Sequence, residues 1–594
     1  MAPHTSPSFI MSLERFPFNL CIIKHVVIGP IFSFVFLIST LPVWAGATNL
    51  NSNIPNAGSL QQQIERDREF NRSNFDLFKG VDQQAPSRVV AGPSLTVKEF
   101  KFVGNSIFTS ELLSIAVSSY LNHTITFADL ELASAAVANV YRQEGWVVKT
   151  LLPAQDILNG VVTIQVIESK FGKVIIEGDS LKRIPPSLIT SIIYTVQPPG
   201  SALNSNNIDR GLMLVDDLPG LSAQGSFSEG SANGQTDLVI TIIEKTFTKT
   251  DVTLDNTGSR STGVNRIAAS TALNSPAGLG DQLTFNLISS EGSEYLRLSE
   301  TLPIGYGGFK MGFNASYLDY RLVSQDFSAL AAFGTSSILG LEASYPLIKS
   351  RATALNAVLN VDQKRFVNNS QGAVVSDYKN TPISLNLNGF RADSWLGNGN
   401  STVSWNVSGG SVNLSNSTAQ YQSTDTSTTK VAGQYTKSRY FLSREQDLTS
   451  GFSLYSTVSG QWASKNLDSS EKFYLGGIDG VRAYPTNEAG GSLGQIANME
   501  LRSRFGSGYT LAGFYDFGRV LINPDNSFVG ASALNAYALK GAGLALTYQS
   551  TKGAQIKATF ARRIGANPNP ASTGNDQDGS LAINRLWLNA RLPF

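Results

Sequence analysis

The sequence predicts a transmembrane β-barrel of about sixteen antiparallel strands, preceded by two small α+β domains and an N-terminal helix. Three observations predict it. From Thr248 to Phe594, apolar and polar residues alternate in window after window. No apolar run in that region reaches the length of a membrane-spanning helix, whereas tilted strands of ~10 residues around a wet interior fit the alternation. Within the same region Arg482 stands on a turn built from Gly476, Gly477 and Gly480. Those glycines can take positive φ values, which bends the chain out of any strand.

Composition narrows the function classes. The chain has 594 residues, 15% of them charged, with 53 glycines and a net charge of +1. That balance supplies no basic surface, so nucleic acid is excluded as a partner. The only cysteine is Cys21, and beyond residue 47 the only histidine is His123. Thiol chemistry, disulfides, His/Cys metal sites and histidine triads therefore drop out of the mature chain. No carboxylate pair stands out as an acid–base couple, so neither an enzyme nor a cofactor or metal site is expected.

In chain order, residues 1–47 read as a cleaved signal peptide. Lys24 and His25 precede the apolar run Val26–Ile38, and the small residues Ala45-Gly46-Ala47 follow it. The run is short of the ~20 residues of a membrane span and contains Pro30. Residues 48–93 combine a helix with a tether. Gln61–Glu69 holds strong helix formers behind Ser59 as N-cap. It is polar nearly all round and buries no stripe, so it is either free or lodged in a wet cavity. Phe75–Pro93 reads as an extended linker, punctuated by Gly80, Pro86 and Gly92.

The first α+β unit, residues 94–169, opens with the strand Val97–Asn105. Helices follow over Phe108–Tyr120 and Phe127–Glu144, the second stopped by Gly145. Strands Trp146–Leu152 and Gly160–Glu168 close the unit. The second unit, residues 170–247, opens with Lys173–Gly178 and places one helix before Asp217-Leu218-Pro219-Gly220. It ends with strands Leu221–Ser228 and Asp237–Glu244. An accessible edge strand on such a unit suits capture of an extended peptide by strand addition.

Residues 248–594 carry the alternation. Met311, Phe313 and Tyr317 alternate with Gly312, Asn314 and Ser316. Ile383, Leu385 and Leu387 alternate with Ser384, Asn386 and Asn388, and Met499 and Leu501 with Asn498, Glu500 and Arg502. Leu586, Leu588, Ala590, Leu592 and the terminal Phe594 share one face. The polar stretches Ser408–Thr429 and Asn567–Gly579 read as extracellular loops. A soluble β-sandwich alternates too, so the pattern alone leaves that class open.

Arg482, flanked by Val481 and Tyr484, offers five fixed donors and stays charged at any working pH. A loop that dips into an enclosed space needs an acceptor for it, and Asp516 in Gly513–Gly518 is the candidate. From spacing alone, a solvated loop charge explains Arg482 equally well. The residues Phe473, Gly476-Gly477, Val481-Arg482-x-Tyr484 and Phe514-x-Asp516-x-Gly518 together resemble the two signature motifs of the two-partner secretion transporters. That family belongs to the superfamily of bacterial outer-membrane insertases. Gly104-Asn105, Tyr141…Gly145 and Leu152-Pro153-x-Gln155 resemble a POTRA domain, and Leu203-Asn204 with Asp217–Gly220 resembles the second POTRA of these transporters. One departure is Ala483, where the family usually has Gly.

The resemblance implies a 16-stranded barrel over 248–594, two periplasmic POTRA domains over 94–169 and 170–247, and a helix in 48–93 that plugs the lumen. It implies that the loop carrying Arg482 folds back into the barrel to meet Asp516 on the inner wall. Cargo contacts are expected at Leu203, Asn204, Asp209 and Arg210, and a barrel-assembly signal at Phe594. The implied partners are a secreted exoprotein with an N-terminal secretion domain, outer-membrane lipid, and the barrel-assembly machinery and periplasmic chaperones during biogenesis. Folding of the exoprotein outside the cell would give export its direction. A general membrane-protein insertase and a passive porin stay open as alternatives.

Overall fold

The computed structural model describes residues 54–72, 94–157, 159–178 and 181–594. The expected signal peptide and the linker Phe75–Pro93 lie outside the described residues. Ala57–Arg72 is helical. Asn56 Oδ1 accepts from Ser59 N at 3.0 Å, so the helix is capped three residues earlier than the sequence suggested. Its Ala57, Leu60 and Ile64 do bury a narrow stripe, against Tyr320, Phe366 and Tyr378 of the barrel's inner wall. Three apolar side chains at helical spacing are enough for that contact, which the polar average of the segment conceals.

In the first α+β unit, Val161–Glu168 is the central strand, parallel to Glu99–Val103 and antiparallel to Val148–Leu151. Helices Ser110–Ala116 and Phe127–Gln143 cover one face. Thr126 and Asp129 form a capping box at the start of the longer helix, and Gly145, at φ 83°, follows its end. The second unit repeats the plan with Gln235–Glu244 between Lys170–Glu177 and Leu221–Glu229. Here the structure adds a helix, Pro186–Val196, before Ser205–Asp216. Proline at its first position and buried Ile189, Ile192 and Ile193 at helical spacing explain it, although the β-branched run reads as strand.

The remainder closes into a barrel of sixteen antiparallel strands, the eighth broken at Thr381-Pro382 into Ala373–Asn380 and Ile383–Asp393. The first strand, Thr248–Asp255, closes the cylinder against the last, Asn584–Pro593. Beyond that ladder, Thr250 and Phe594 exchange backbone hydrogen bonds at 3.3 and 2.7 Å. Met311, Phe313 and Tyr317 face outward with Leu385, Leu501 and Leu588, while Asn314 and Ser316 face in. Among the described residues no helix is long and apolar enough to cross a membrane; the strands make the crossing. Of the expected loops, 408–413 belongs to the ninth strand, Gly399–Asn413, and a short helix, Ala419–Ser427, occupies the loop proper.

One reading of the second unit changes. Asp237–Glu244, the last strand of the second unit, lies in the middle of its sheet rather than at an accessible edge. Both of its sides are already paired, so the edges of the sheet are Leu221–Glu229 and Lys170–Glu177, the latter partly covered where Phe171 N donates to Ser201 O at 2.8 Å. Proline cannot donate to a ladder. Ile240→Pro should therefore expose the second unit to protease in the detergent-solubilised full chain, whereas Phe227→Pro, at an edge position whose N–H faces away from the ladder, should leave it resistant. Equal cleavage of both variants would contradict the strand order.

Candidate functional site

The loop 464–492 joins the eleventh strand, Phe452–Ala463, to the twelfth, Leu493–Phe505, and turns back into the lumen. Its neck is the two-residue ladder Phe473–Tyr474 with Gly490–Gly491. Below the neck, Val481 N donates to Leu475 O at 2.8 Å and Tyr484 N to Val481 O at 3.0 Å, which winds the chain into a compact tip. Gly477 holds φ at +111°, and a Cβ on Gly476 or Gly480 would strike the backbone of Pro485 or Leu475. The glycines are therefore required by the winding of the tip itself.

The tip is seated on sockets in the wall. A Cβ on Gly518 of the thirteenth strand, Tyr509–Leu521, would lie 2.9 Å from Val481 Cγ2. A Cβ on Gly541 of the fourteenth strand, Ala536–Gln549, would lie 2.7 Å from the methyl of Ala483. Ala483 is absent from the residues with positive φ, so the departure from Gly causes no backbone strain. Its methyl simply occupies the space that Gly541 leaves open. Val481, Ala483 and Tyr484 are fully buried.

Arg482 is saturated. Its backbone N and its Nε donate to Asp516 Oδ2 at 3.0 and 2.9 Å, and its Nη2 donates to Asp516 Oδ1 at 2.7 Å. Its Nη1 donates to Glu500 Oε1 at 2.5 Å. The guanidinium lies over the Phe514 ring, 3.5 Å from the centroid, and Trp587 Nε1 donates to Arg482 O at 2.8 Å. Asp516 also accepts from Asn498 Nδ2 at 2.8 Å, which in turn donates to Gly480 O. Burial opposes the charge on Arg482, and the two carboxylates outweigh it and raise the pKa. The structure thus brings Arg482 and Asp516 together, with Phe514 and Gly518 beside them.

Glu500, Asn498 and Trp587 were not singled out by sequence reasoning. Their signal was parity: Asn498, Glu500 and Arg502 fall on the inward face, but which strand they pair with needs the register. That register sets Asn498 opposite Asp516 and Glu500 opposite Phe514. A second charged cluster ties the same loop to the loop before the last strand. Asn567 Nδ2 donates to Glu488 Oε1 at 2.8 Å and Gln577 N to Glu488 Oε2 at 3.0 Å. Asp576 pairs with Arg563, whose guanidinium lies over Tyr484, and with Arg585. Burial, then the nearby Asp576, push the Glu488 carboxyl up to about 8.

The expected cargo residues sit elsewhere. Leu203 is buried, and its carbonyl accepts from Val147 N at 3.0 Å. Asn204 caps the helix Ser205–Asp216 and donates to Glu144 O, stitching the two α+β units together. Asp209 pairs with Arg351 at 3.0 Å, and Arg210 Nη2 donates to Pro346 O at 3.0 Å, both at the periplasmic rim of the barrel. Lys349 pairs with Asp217 beside them at 2.7 Å. Leu203 and Asn204 are thus engaged in folding contacts, and Asp209 and Arg210 in contacts with the barrel rim. The main chain of Phe594 extends the closing ladder, while its ring is exposed on the outside.

The helix Ala57–Arg72 also reaches this site. Arg66 Nη1 donates to Tyr474 O and Gly476 O at 3.3 and 3.4 Å, Asp67 pairs with Arg266 at 2.9 Å, and Glu65 pairs with Lys364 at 3.3 Å. Lys364 also pairs with Glu471 of the loop at 3.3 Å. Burial raises the Glu471 carboxyl, and Lys364 with Lys437 more than reverses this, holding it at about 2.

Comparison with known proteins gives consistent matches. A family model described as haemolysin secretion/activation protein ShlB/FhaC/HecB matches residues 234–544, and one for a ShlB-type POTRA domain matches 95–169. The heme/hemopexin transporter protein HuxB of Haemophilus influenzae is 24% identical over 532 residues, covering 87% of this chain and 93% of HuxB. The structure of CdiB from Escherichia coli aligns with TM-score 0.67 at 18% identity, covering 90% of this chain and 97% of that one. BamA from Haemophilus ducreyi aligns with TM-score 0.50 at 15% identity, covering 84% and 100%.

These charges set how the loop should respond to substitution and to pH. Arg482→Ala leaves the buried Asp516 without a cation, although Glu500 keeps Arg502 at 2.8 Å, whereas Asp516→Ala leaves Arg482 still held by Glu500. Loop seating should lose about 3–5 kcal/mol in the first variant and roughly half that in the second, read as hydrogen exchange at residues 481–484. Swapping the two charges should fail to restore protection, because a carboxylate at position 482 would face Glu500. Glu488 is protonated in the folded site between its ordinary value of 4.5 and about 8. The folded state binds the extra proton there, so the contact between the two loops should weaken as pH rises through that window. Glu488→Gln should remove this dependence in pH-resolved hydrogen exchange of residues 564–583.

Proposed function

This chain belongs to the haemolysin secretion/activation family (ShlB/FhaC/HecB) of two-partner secretion transporters, and we propose that it exports one large partner exoprotein to the cell surface. It is an outer-membrane β-barrel whose POTRA units face the periplasm. The observation that carries the reading is the buried guanidinium of Arg482 inside the lumen. A barrel that served only as a passive pore would not need a loop fixed at this cost in desolvation. The exoprotein arrives unfolded, and the edge strand Leu221–Glu229 of the second POTRA unit pairs with its N-terminal secretion domain by main-chain hydrogen bonds. Leu203, Asn204, Asp209 and Arg210 hold that edge in position relative to the first unit and the barrel rim. The helix Ala57–Arg72 acts as a plug that leaves the lumen before the exoprotein passes, and folding outside the cell makes passage one-way. Phe594 serves as the assembly signal read by the barrel-assembly machinery. The likeness to BamA speaks for the fold alone, so the family match favours export over membrane-protein insertion.

Export should respond to the loop while the barrel remains intact. Cells producing the full chain with a candidate exoprotein should display that protein on their surface. Arg482→Ala should lower display by at least about tenfold, the effect of ~1.4 kcal/mol or more on a limiting step. The variant should remain in the outer membrane and still run as a compact band on gels unless boiled. Undiminished display by the Arg482→Ala variant would separate the loop from transport.

A further inference from the structure

The lumen is not lined evenly. A cavity of about 480 Å³ opens in its periplasmic half, between the helix Ala57–Arg72 and the wall. Five strands send charge into it or beside it: Arg297 and Lys310 from the fourth and fifth, Glu342 from the sixth, Asp362 and Lys364 from the seventh, Lys437 and Arg439 from the tenth, Gly433–Thr449. The eighth and ninth strands are different. The eighth contributes Ser384, Asn386 and Asn388, and the ninth contributes Thr402, Ser404, Asn406 and Ser408. On the other face of the same strands Ile383, Leu385, Val403, Trp405 and Val407 point outward. Seven inward positions in a row are neutral and able to hydrogen-bond.

These side chains are engaged mainly with one another. Ser404 Oγ donates to Asn388 Oδ1 at 2.8 Å and Asn406 Nδ2 to Asn386 Oδ1 at 2.6 Å, while Asn386 Nδ2 reaches Val358 O at 3.5 Å. Ser408 is buried, lines the cavity and has no hydrogen-bond partner for its hydroxyl. Among the described residues, neither the arginine loop nor the helix hydrogen-bonds to this part of the wall. The loop tip is held by strands twelve to fourteen, the rest of the loop meets the eighth strand only at Tyr378 and Asn380, outside the stripe, and the helix packs on strands five to seven. So the stripe borders the cavity that both of them leave.

We propose that this stripe, Ser384 to Asn388 with Thr402 to Ser408, is the surface along which an extended polypeptide main chain slides through the barrel. The inference rests on the export reading above. Two neighbouring strands ~4.8 Å apart, rising ~3.4 Å per residue, present a band about as wide as one extended chain and ~20 Å long. Neutral amides and hydroxyls exchange water for peptide groups at little net gain per bond, whatever side chain is passing. A charged wall would grip every opposite charge on the cargo far more tightly in a partly desolvated lumen. A transport surface must let go as readily as it binds, and the eighth and ninth strands meet that requirement.

The test uses the full chain in cells with an exported exoprotein fused at its C-terminus to a stably folded reporter, so that it stalls in transit. A photo-crosslinking amino acid placed at 388 or 406 should capture the stalled exoprotein, and the same probe at Lys557 on the opposite wall should not. Capture from 557 and not from 388 or 406 would overturn the proposal while leaving export itself standing. Absence of the unfused exoprotein from the cell surface would instead overturn the export reading. A second measurement separates charge from shape. The paired isosteric substitutions Asn386→Asp and Asn406→Asp should slow surface appearance by about tenfold, whereas Asn386→Gln with Asn406→Gln should stay within about twofold. The folded fraction is read from the gel mobility of unboiled samples. Equal rates for the Asp and Gln pairs would overturn the proposal.

Discussion

Everything at the centre of this barrel is arranged around one cation that has been taken out of water. Arg482 uses its backbone N–H, its Nε and both terminal nitrogens on two carboxylates, and its flat face rests on Phe514. An arginine so placed is tolerable only if the wall supplies all of those partners at once. The thirteenth strand therefore carries Asp516, Phe514 and Gly518 at alternate inward positions, and the twelfth supplies Glu500 and Asn498 across the ladder. The loop fits because small residues face large ones: Gly518 under Val481, Gly541 under Ala483. Charge fixes which wall the loop meets, and sterics fix how deeply it sits.

The same logic extends outward in shells. Glu471, on the loop, is shared by Lys364 and Lys437 of the barrel, and Lys364 also holds Glu65 of the N-terminal helix. Arg66 of that helix donates back to the loop's carbonyls. Helix, loop and wall are thus joined by ion pairs and hydrogen bonds with only a narrow apolar stripe between helix and wall. Polar contacts of this kind can be traded for water or for another peptide at moderate net cost, unlike a packed apolar core. At the periplasmic rim the pattern recurs, where Asp209, Arg210 and Asp217 fasten the second POTRA unit to turns of the barrel.

Much of this was legible in the sequence because a barrel wall writes its geometry with period two. The outward Met311, Phe313 and Tyr317 and the inward Asn314 and Ser316 are readable without any structure, and so is the bent tip that carries Arg482. What could not be read depends on register. Glu500 becomes a partner of Arg482 only because it pairs opposite Phe514, and Trp587 reaches the loop from a strand more than a hundred residues away in sequence. The helix Pro186–Val196 escaped because its isoleucines suit strands as well as helices. The folding contacts of Leu203 and Asn204 were equally out of reach, because a family motif does not say which of its residues hold the fold together.

The central claim is that the loop tip sits in the lumen against the thirteenth strand. Because the only cysteine is Cys21, in the N-terminal segment, a pair of cysteines introduced elsewhere reports on one contact alone. A Cβ on Gly518 lies 2.9 Å from Val481 Cγ2, which places the two Cβ positions within the ~3.5–4.5 Å that a disulfide spans. Val481→Cys with Gly518→Cys should cross-link spontaneously in outer membranes under mild oxidation, seen as a shift in mobility between reduced and unreduced denatured samples. If both thiols stay free and accessible to a membrane-impermeant reagent from outside, the loop does not occupy the lumen and the account fails.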